Sequence, residues 1–433
     1  MDRAAIRIAY GRGELPLRLP NGAEPNVIRK AALPKLKDPA GAIGRAFASP
    51  IGSVPLAELA RGRASACILI CDITRPVPNR LFLRPMIATL AEAGIPMDKI
   101  GVLVATGLHR PNEGKELAEL VGDPWVLSNV RVANHFARNA GDHVDLGRTA
   151  ARGTPVSIDR RFVEADLKIA TGLVEPHFMA GWSGGRKVVA PGVAGHETIR
   201  TFHSARFMED PLAVQCNLVG NPLHEEQLEI VRMLGAVHAL NVVIDEERDL
   251  VHATFGEIIQ SHLAAVDFIA AATRIGVPRR FKTIVTSAAG YPLDKTYYQT
   301  VKGMVTPLDI LEPGGELIIA SECSEGFGSP EFRAAQERLI ELGPDRFLAT
   351  LKAKTLAEID EWQTEMQLKS TRRGRVALYT TGLTPEERRI TGVDIVTDLD
   401  EAVADSIGRS GDRALAVIPE GPYVVPVYDA SCR

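Results

Sequence analysis

Five short segments of this 433-residue chain carry side chains able to do chemistry. The first is Cys71-Asp72-Ile73-Thr74-Arg75-Pro76-Val77-Pro78-Asn79. Where such a segment leaves a strand and opens a helix, its backbone N–H groups can cradle an anion. Thr74 adds a hydroxyl, and Arg75 adds a planar fork suited to carboxylate or phosphate. Asp72 can orient Arg75 or accept from a ribose hydroxyl; the bland alternative is that Asp72 and Thr74 only cap the helix. The second segment, Ala105-Thr106-Gly107-Leu108-His109-Arg110-Pro111, puts His109 on a loop, where an imidazole can take and return a proton near neutral pH.

The third and richest segment runs from Glu175 through Pro176-His177-Phe178-Met179-Ala180-Gly181-Trp182-Ser183-Gly184-Gly185-Arg186-Lys187. Gly181, Gly184 and Gly185 let backbone come close to a ligand, and Lys187 supplies an amine at the far end. A solvated lysine on a mobile loop is the ordinary alternative. The fourth segment, His196-Glu197-Thr198-Ile199-Arg200-Thr201-Phe202-His203, reads as helical. Its two histidines share a face but lie roughly 10 Å apart along the axis, so at most one can ligate a given ion. In the fifth, Gly290 to Gly303, Tyr298 and Lys302 are spaced i, i+4, with Gln299 beside Lys302. Together they offer an aromatic wall, an amide and a cation to a small carboxylate. Neither GxxxxGK[ST] nor GxGxxG after a first strand is matched, so ATP and NAD readings lack a motif.

These segments need a frame that presents loops. Apolar runs at 66–71, 100–105 and 167–171 read as strands, with helices over 79–93 and from 112. Such alternation predicts βαβ units and a largely parallel sheet, with ligand beyond the carboxyl ends of the strands. The pattern repeats after a basic, Pro-containing connector at Gly276, with strands at 283–286, 316–320, 376–380 and 414–418. The expected fold class is α/β: two α/β domains with the active site in the cleft between them. Their predicted bounds are 1–275, with 419–433 crossing back to complete it, and 276–418.

Composition narrows the class. Lys plus Arg is 50 against 54 for Asp plus Glu, a net charge of −4 that favours neither nucleic acid nor an anionic membrane as partner. No apolar run approaches a membrane span, and the first residues lack the layout of a secretory signal. Five scattered cysteines do not make a disulfide framework. A cytoplasmic enzyme acting on a small molecule is the expectation.

The set CDITRPVPN, ATGLHRP, EPHFMAGWSGGRK, the helix ending in His203, and PLDKTYYQTVKG resembles the nickel-dependent lactate racemase family. The likeness runs over five segments in consistent order, with a sixth point at Trp362. It implies an isomerase, a racemase or epimerase of 2-hydroxy acids, whose cofactor is a nickel-pincer nucleotide (a pyridinium thioamide/thiocarboxylate mononucleotide) loaded by cofactor-synthesis enzymes. By that resemblance Lys187 carries the cofactor and His203 is the one protein ligand to nickel, a metal suited to planar, soft-ligand sites. His109 and His177 are the paired acid/bases. Arg75, Gln299 and Lys302 hold the substrate, Tyr298 and Trp362 line its pocket, and Asp72, Thr74, Gly184 and Gly185 hold the cofactor's phosphate and ribose. The competing readings are an NAD-dependent 2-hydroxy acid dehydrogenase and a two-domain solute-binding protein.

Overall fold

The computed structural model describes residues 5–245 and 247–432, which divide into two compact α/β units. One comprises Ala32–Phe202 with Asp210–Ala270; the other comprises the residues before Ala32, His203–Glu209, and the chain from Ala271 onward.

The first unit is built on six strands in the order Leu250–Glu257, His238–Ile244, Leu167–Leu173, Ala66–Cys71, Ile100–Ala105, Arg131–Asn134. All neighbours pair parallel except Leu250–Glu257, which is antiparallel to His238–Ile244. Ala66–Cys71 is buried along nearly its whole length rather than at alternate residues, as a strand covered on both faces must be. Its bounds and those of Ile100–Ala105 are the predicted ones. The single helix expected over 79–93 is divided into a turn at Asn79–Leu81 and a helix at Leu83–Glu92. Pro85 explains the break: it has no N–H to donate, and its ring would strike the carbonyl of Leu81 in a continuous helix. Strand order reverses between Ala66–Cys71 and Leu167–Leu173. The loops leaving these two strands are the ones that carry Asp72 and His177, at the topological switch point where α/β sheets bind ligands.

The second unit holds six parallel strands in the order Asp394–Val396, Arg375–Tyr379, Leu311–Ala320, Phe281–Ser287, Ala414–Ile418, Glu24–Val27. Two corrections to the predicted domain bounds follow from backbone pairing. Glu24–Val27 extends the second sheet beside Ala414–Ile418, so the described residues before Ala32 are not part of the N-terminal domain. Val425–Tyr428 pairs with Arg274–Val277 within this same unit, so the last stretch does not cross back. His203–Glu209 also belongs here. Ala205 packs with Leu339, Phe347, Leu351 and Leu368, and Glu209 receives both terminal nitrogens of Arg372 at 2.8 Å. Among the described residues, no helix is long and apolar enough to cross a membrane.

Candidate active site

In the first unit, the turn after Cys71 buries Asp72 and aims its carboxylate at the next loop. Oδ2 lies 2.6 Å from Nδ1 of His109, and Oδ1 accepts from the Thr74 hydroxyl at 2.5 Å. Burial pushes the Asp72 carboxyl up, but His109, Thr74 and the Arg75 charge together outweigh it and hold the carboxyl below its ordinary value. An ionised carboxylate only accepts, so Nδ1 of His109 carries the hydrogen and Nε2 is the nitrogen left for proton exchange. His109 itself is exposed, its backbone N–H tied to the Thr106 carbonyl at 2.9 Å. Thr74 is exposed, and Arg75 is half-buried with its Nε 3.5 Å from Glu175 Oε1. The sequence pointed Asp72 toward Arg75 or a ribose; the carboxylate bonds His109 and Thr74 and also feels the Arg75 charge.

His177 is buried on a two-residue strand, Pro176–His177, paired antiparallel with Gly181–Trp182. The intervening turn bends back so that the N–H groups of Ala180 and Met179 point at His177 Nδ1, at 3.2 and 3.4 Å. Backbone N–H can only donate, so Nδ1 is an acceptor and the hydrogen of the neutral ring sits on Nε2. The two histidines are thus held in opposite tautomers: His109 hydrogenated at Nδ1, His177 at Nε2.

Gly184 and Gly185 both take left-handed backbone, with φ of 80° and 47°. A Cβ on Gly184 would lie 2.7 Å from Val174, and one on Gly172 would lie 2.8 Å from the Cα of Gly184, so loop and strand meet at backbone contact. Asn241 Oδ1 accepts from the Gly185 N–H at 2.8 Å. The short helix Arg186–Val189 then presents Lys187, half-buried. Arg186 is fully buried, and among the described residues no carboxylate pairs with it; it donates to Ala180 O at 3.0 Å, and its Nη1 lies 3.0 Å from His262 Nε2, which is itself 2.8 Å from the Ser183 carbonyl. Burial pushes its guanidinium down to about 9. Burial and the Arg186 charge hold His262 well below the ordinary histidine value, so it stays neutral beside a cation. Arg186 lay inside the third segment with no role assigned, and no motif contained His262 or Asn241, whose contacts span 56 to 79 residues.

In the second unit, Tyr297–Val305 starts with Thr296 as its cap and buries Tyr297, Thr300 and Val301 against the sheet. Tyr298, Gln299 and Lys302 lie together on the half-buried face, as their spacing predicts. Tyr298 is gripped from the helix Glu361–Arg373 and its cap: its hydroxyl donates to Asp360 at 3.3 Å, and its carbonyl accepts from Gln363 at 2.6 Å. Trp362, on that same helix, has its ring 4.7 Å from the imidazole of His203. The fourth segment is helical over His196–Phe202, which leaves His203 just beyond the end, buried against Trp362. Asp294, unflagged inside PLDK, is buried and accepts from Gly11 N–H at 2.6 Å and Glu322 N–H at 3.2 Å, tying the site loop to two others.

Residues 10–215 match the family described as lactate racemase N-terminal domain, and residues 279–426 match the lactate racemase C-terminal domain. A lactate racemase of Thermoanaerobacterium thermosaccharolyticum is 31% identical over 428 residues, spanning 98% of this chain and 99% of that protein. This chain belongs to the lactate racemase family. The lactate racemase of Lactiplantibacillus plantarum is 30% identical over 389 residues, 88% of this chain and 90% of that one. The lactate racemase apoprotein structure from T. thermosaccharolyticum superposes with a TM-score of 0.91 at 29% identity, covering 98% of this chain and all of the other. Membership in the family makes the protein an enzyme, an isomerase, with the expected two-domain α/β architecture; the dehydrogenase and solute-binding readings gain no support.

Proposed function

We propose that this enzyme inverts C2 of a 2-hydroxy acid, with His109 and His177 exchanging the hydroxyl proton, and that Lys187 and His203 are the residues that would hold a nickel-pincer nucleotide beside them. Removing that hydrogen as a proton would leave a carbanion beside a carboxylate; removing it as hydride while a base takes the hydroxyl proton leaves a planar 2-keto acid. When bound, the nucleotide supplies the hydride acceptor, which no side chain of the protein can be.

The residues fit such a group in kind. Lys187 offers an amine next to a glycine pair whose left-handed backbone admits close approach. His203 offers one imidazole, buried beside the Trp362 ring. Gly184, Gly185 and Thr74 are the groups proposed to hold its phosphate and ribose. Arg75, Gln299 and Lys302 bind and orient the substrate's carboxylate and oxygens, and Tyr298 and Trp362 wall its remaining substituent. Nε2 of His109, backed by Asp72, takes the hydroxyl proton of one enantiomer; on the other face His177, whose hydrogen sits on Nε2, gives that proton to the oxygen of the opposite enantiomer as it forms and takes it back in the reverse direction.

The pair of histidines in opposite tautomers carries this reading, because a reaction that must treat two mirror-image hydroxyls needs one proton-accepting and one proton-bearing nitrogen at the start. Both curated relatives are named lactate racemase, so lactate heads the panel of substrates. The test is protein produced with the cofactor-synthesis enzymes, assayed for loss of optical purity on a panel of 2-hydroxy acids. An adduct on Lys187 with stoichiometric nickel supports the proposal, and an unmodified lysine under those conditions defeats it. His109→Ala and His177→Ala are each expected to abolish turnover; if either leaves both directions intact, its role is wrong.

A further inference from the structure

The turn that sets the tautomer of His177 is held from outside by a residue no motif contains. Asn221 is fully buried and caps the helix Pro222–Met233, its Oδ1 accepting from the N–H groups of Leu223 at 3.0 Å and His224 at 3.3 Å. Its Nδ2 donates to the carbonyls of Met179 and Asn217, both at 3.0 Å. With two donors facing the oxygen and two acceptors facing the nitrogen, the amide has one orientation only.

The Met179 carbonyl and the Ala180 N–H belong to one planar peptide group. Asn221 therefore donates to one end of the same peptide whose other end donates to His177 Nδ1. A hydrogen bond accepted at the carbonyl polarises the peptide and strengthens the N–H as a donor. The neighbouring peptides are tied as well: Ala180 O to Arg186 Nη2 at 3.0 Å, and Gly181 O to the Cys216 N–H at 2.9 Å. We propose that Asn221 is a positioning residue for His177, fixing through the Met179–Ala180 peptide the tautomer whose Nε2 exchanges the substrate's proton. This rests on the acid/base role of His177 given above.

The plain alternative is that Asn221 is only a helix cap. Capping needs Oδ1 alone, and serine caps a helix about as well as asparagine. Asn221→Ser therefore keeps the cap and removes the amide NH2, its single shorter hydroxyl being unable to reproduce both donor contacts. The experiment is nitrogen NMR of the full chain labelled at histidine, with His177→Gln identifying the resonances of His177. Unsubstituted protein is expected to show the Nε2–H form alone, and Asn221→Ser a mixture of both tautomers with the helix Pro222–Met233 still protected from hydrogen exchange. In loaded enzyme kcat is expected to fall about tenfold, or about 1.4 kcal/mol, with KM little changed. A folded Asn221→Ser protein whose His177 stays wholly Nε2–H overturns the proposal, as does an Nδ1–H form in the unsubstituted chain. The second of these readings needs no variant, so misfolding of Asn221→Ser leaves the proposal open to refutation. The NMR arm uses no cofactor, so an absence of racemisation would count against the proposed reaction and not against this linkage.

Discussion

Asp72 and His109 stand 37 residues apart in sequence and 2.6 Å apart in the fold, the buried carboxylate gripping Nδ1 of an exposed imidazole. The carboxylate holds the ring's orientation and stabilises the cation formed when Nε2 takes a proton, the arrangement used wherever a histidine serves as a backed general base. Asp72→Asn removes the charge while keeping the size. Turnover of the loaded enzyme is expected to fall by about 10²–10⁴-fold, the usual range for a positioned acid/base group. Steady-state kinetics beside an unchanged circular dichroism spectrum would show it; a loss under threefold would mean that the pair is structural.

A second buried carboxylate governs acid stability of the first unit. Burial pushes Asp159 up, but Arg161 at 2.6 Å and His135 at 3.0 Å outweigh it and hold it far below its ordinary value. The unfolded chain then binds the proton first, so the stabilisation is complete above the unfolded value near pH 4 and is lost as pH falls. Asp159→Asn is expected to cost about 1–3 kcal/mol at pH 7, since it leaves the buried His135 and the partly exposed, solvent-screened Arg161 without their carboxylate. Urea titrations at pH 7, 5 and 3 should show the gap between variant and parent closing as acid is added.

Glu365 carries the opposite sign. It is almost wholly buried on the helix Glu361–Arg373, and burial, reinforced by Glu209 and Glu361 and opposed by Lys369 and Arg372, raises it to about 8. Here the folded chain holds the proton more tightly. Its contribution is complete below about pH 4.5 and is lost as pH rises through about 8. Glu365→Gln mimics the protonated group. It should match the parent at pH 4.5 and exceed it at pH 8 by about 1 kcal/mol or more, roughly 2–4 °C in Tm. Equal melting at pH 8 would show that Glu365 ionises without penalty.

Gly181 pairs across the turn with His177 and has φ of 77°. A Cβ there would lie 2.2 Å from the Asn217 carbonyl oxygen, inside any permitted contact. Gly181→Ala must either strain the backbone or push residue 217 away, at a cost of about 1–3 kcal/mol. Thermal melting is expected to show that loss, together with a fall in racemisation larger than the stability change accounts for, because the turn fixes the His177 ring.

Strands such as Ala66–Cys71 and Ile100–Ala105 were legible to the residue, because a six-residue apolar run bounded by turn residues has the length of a buried strand and is short for a helix. The half-buried face shared by Tyr298, Gln299 and Lys302 was legible for the same reason: helical spacing is a local property. The split at Pro85 was in principle readable too, since proline chemistry is local, and the apolar periodicity on either side masked it.

Residue type and order alone were enough to settle the α/β class and the family. Partnership was decided only by the tertiary structure. Asp72 bonded to His109 across 37 residues, Asn221 reached back 42 residues to the turn of His177, and Glu24–Val27 joined the sheet of the second unit. A periodic pattern reports which face of an element is buried. It does not say which other element covers that face, because that choice is made by long-range backbone pairing and by the need to satisfy every buried polar group at once.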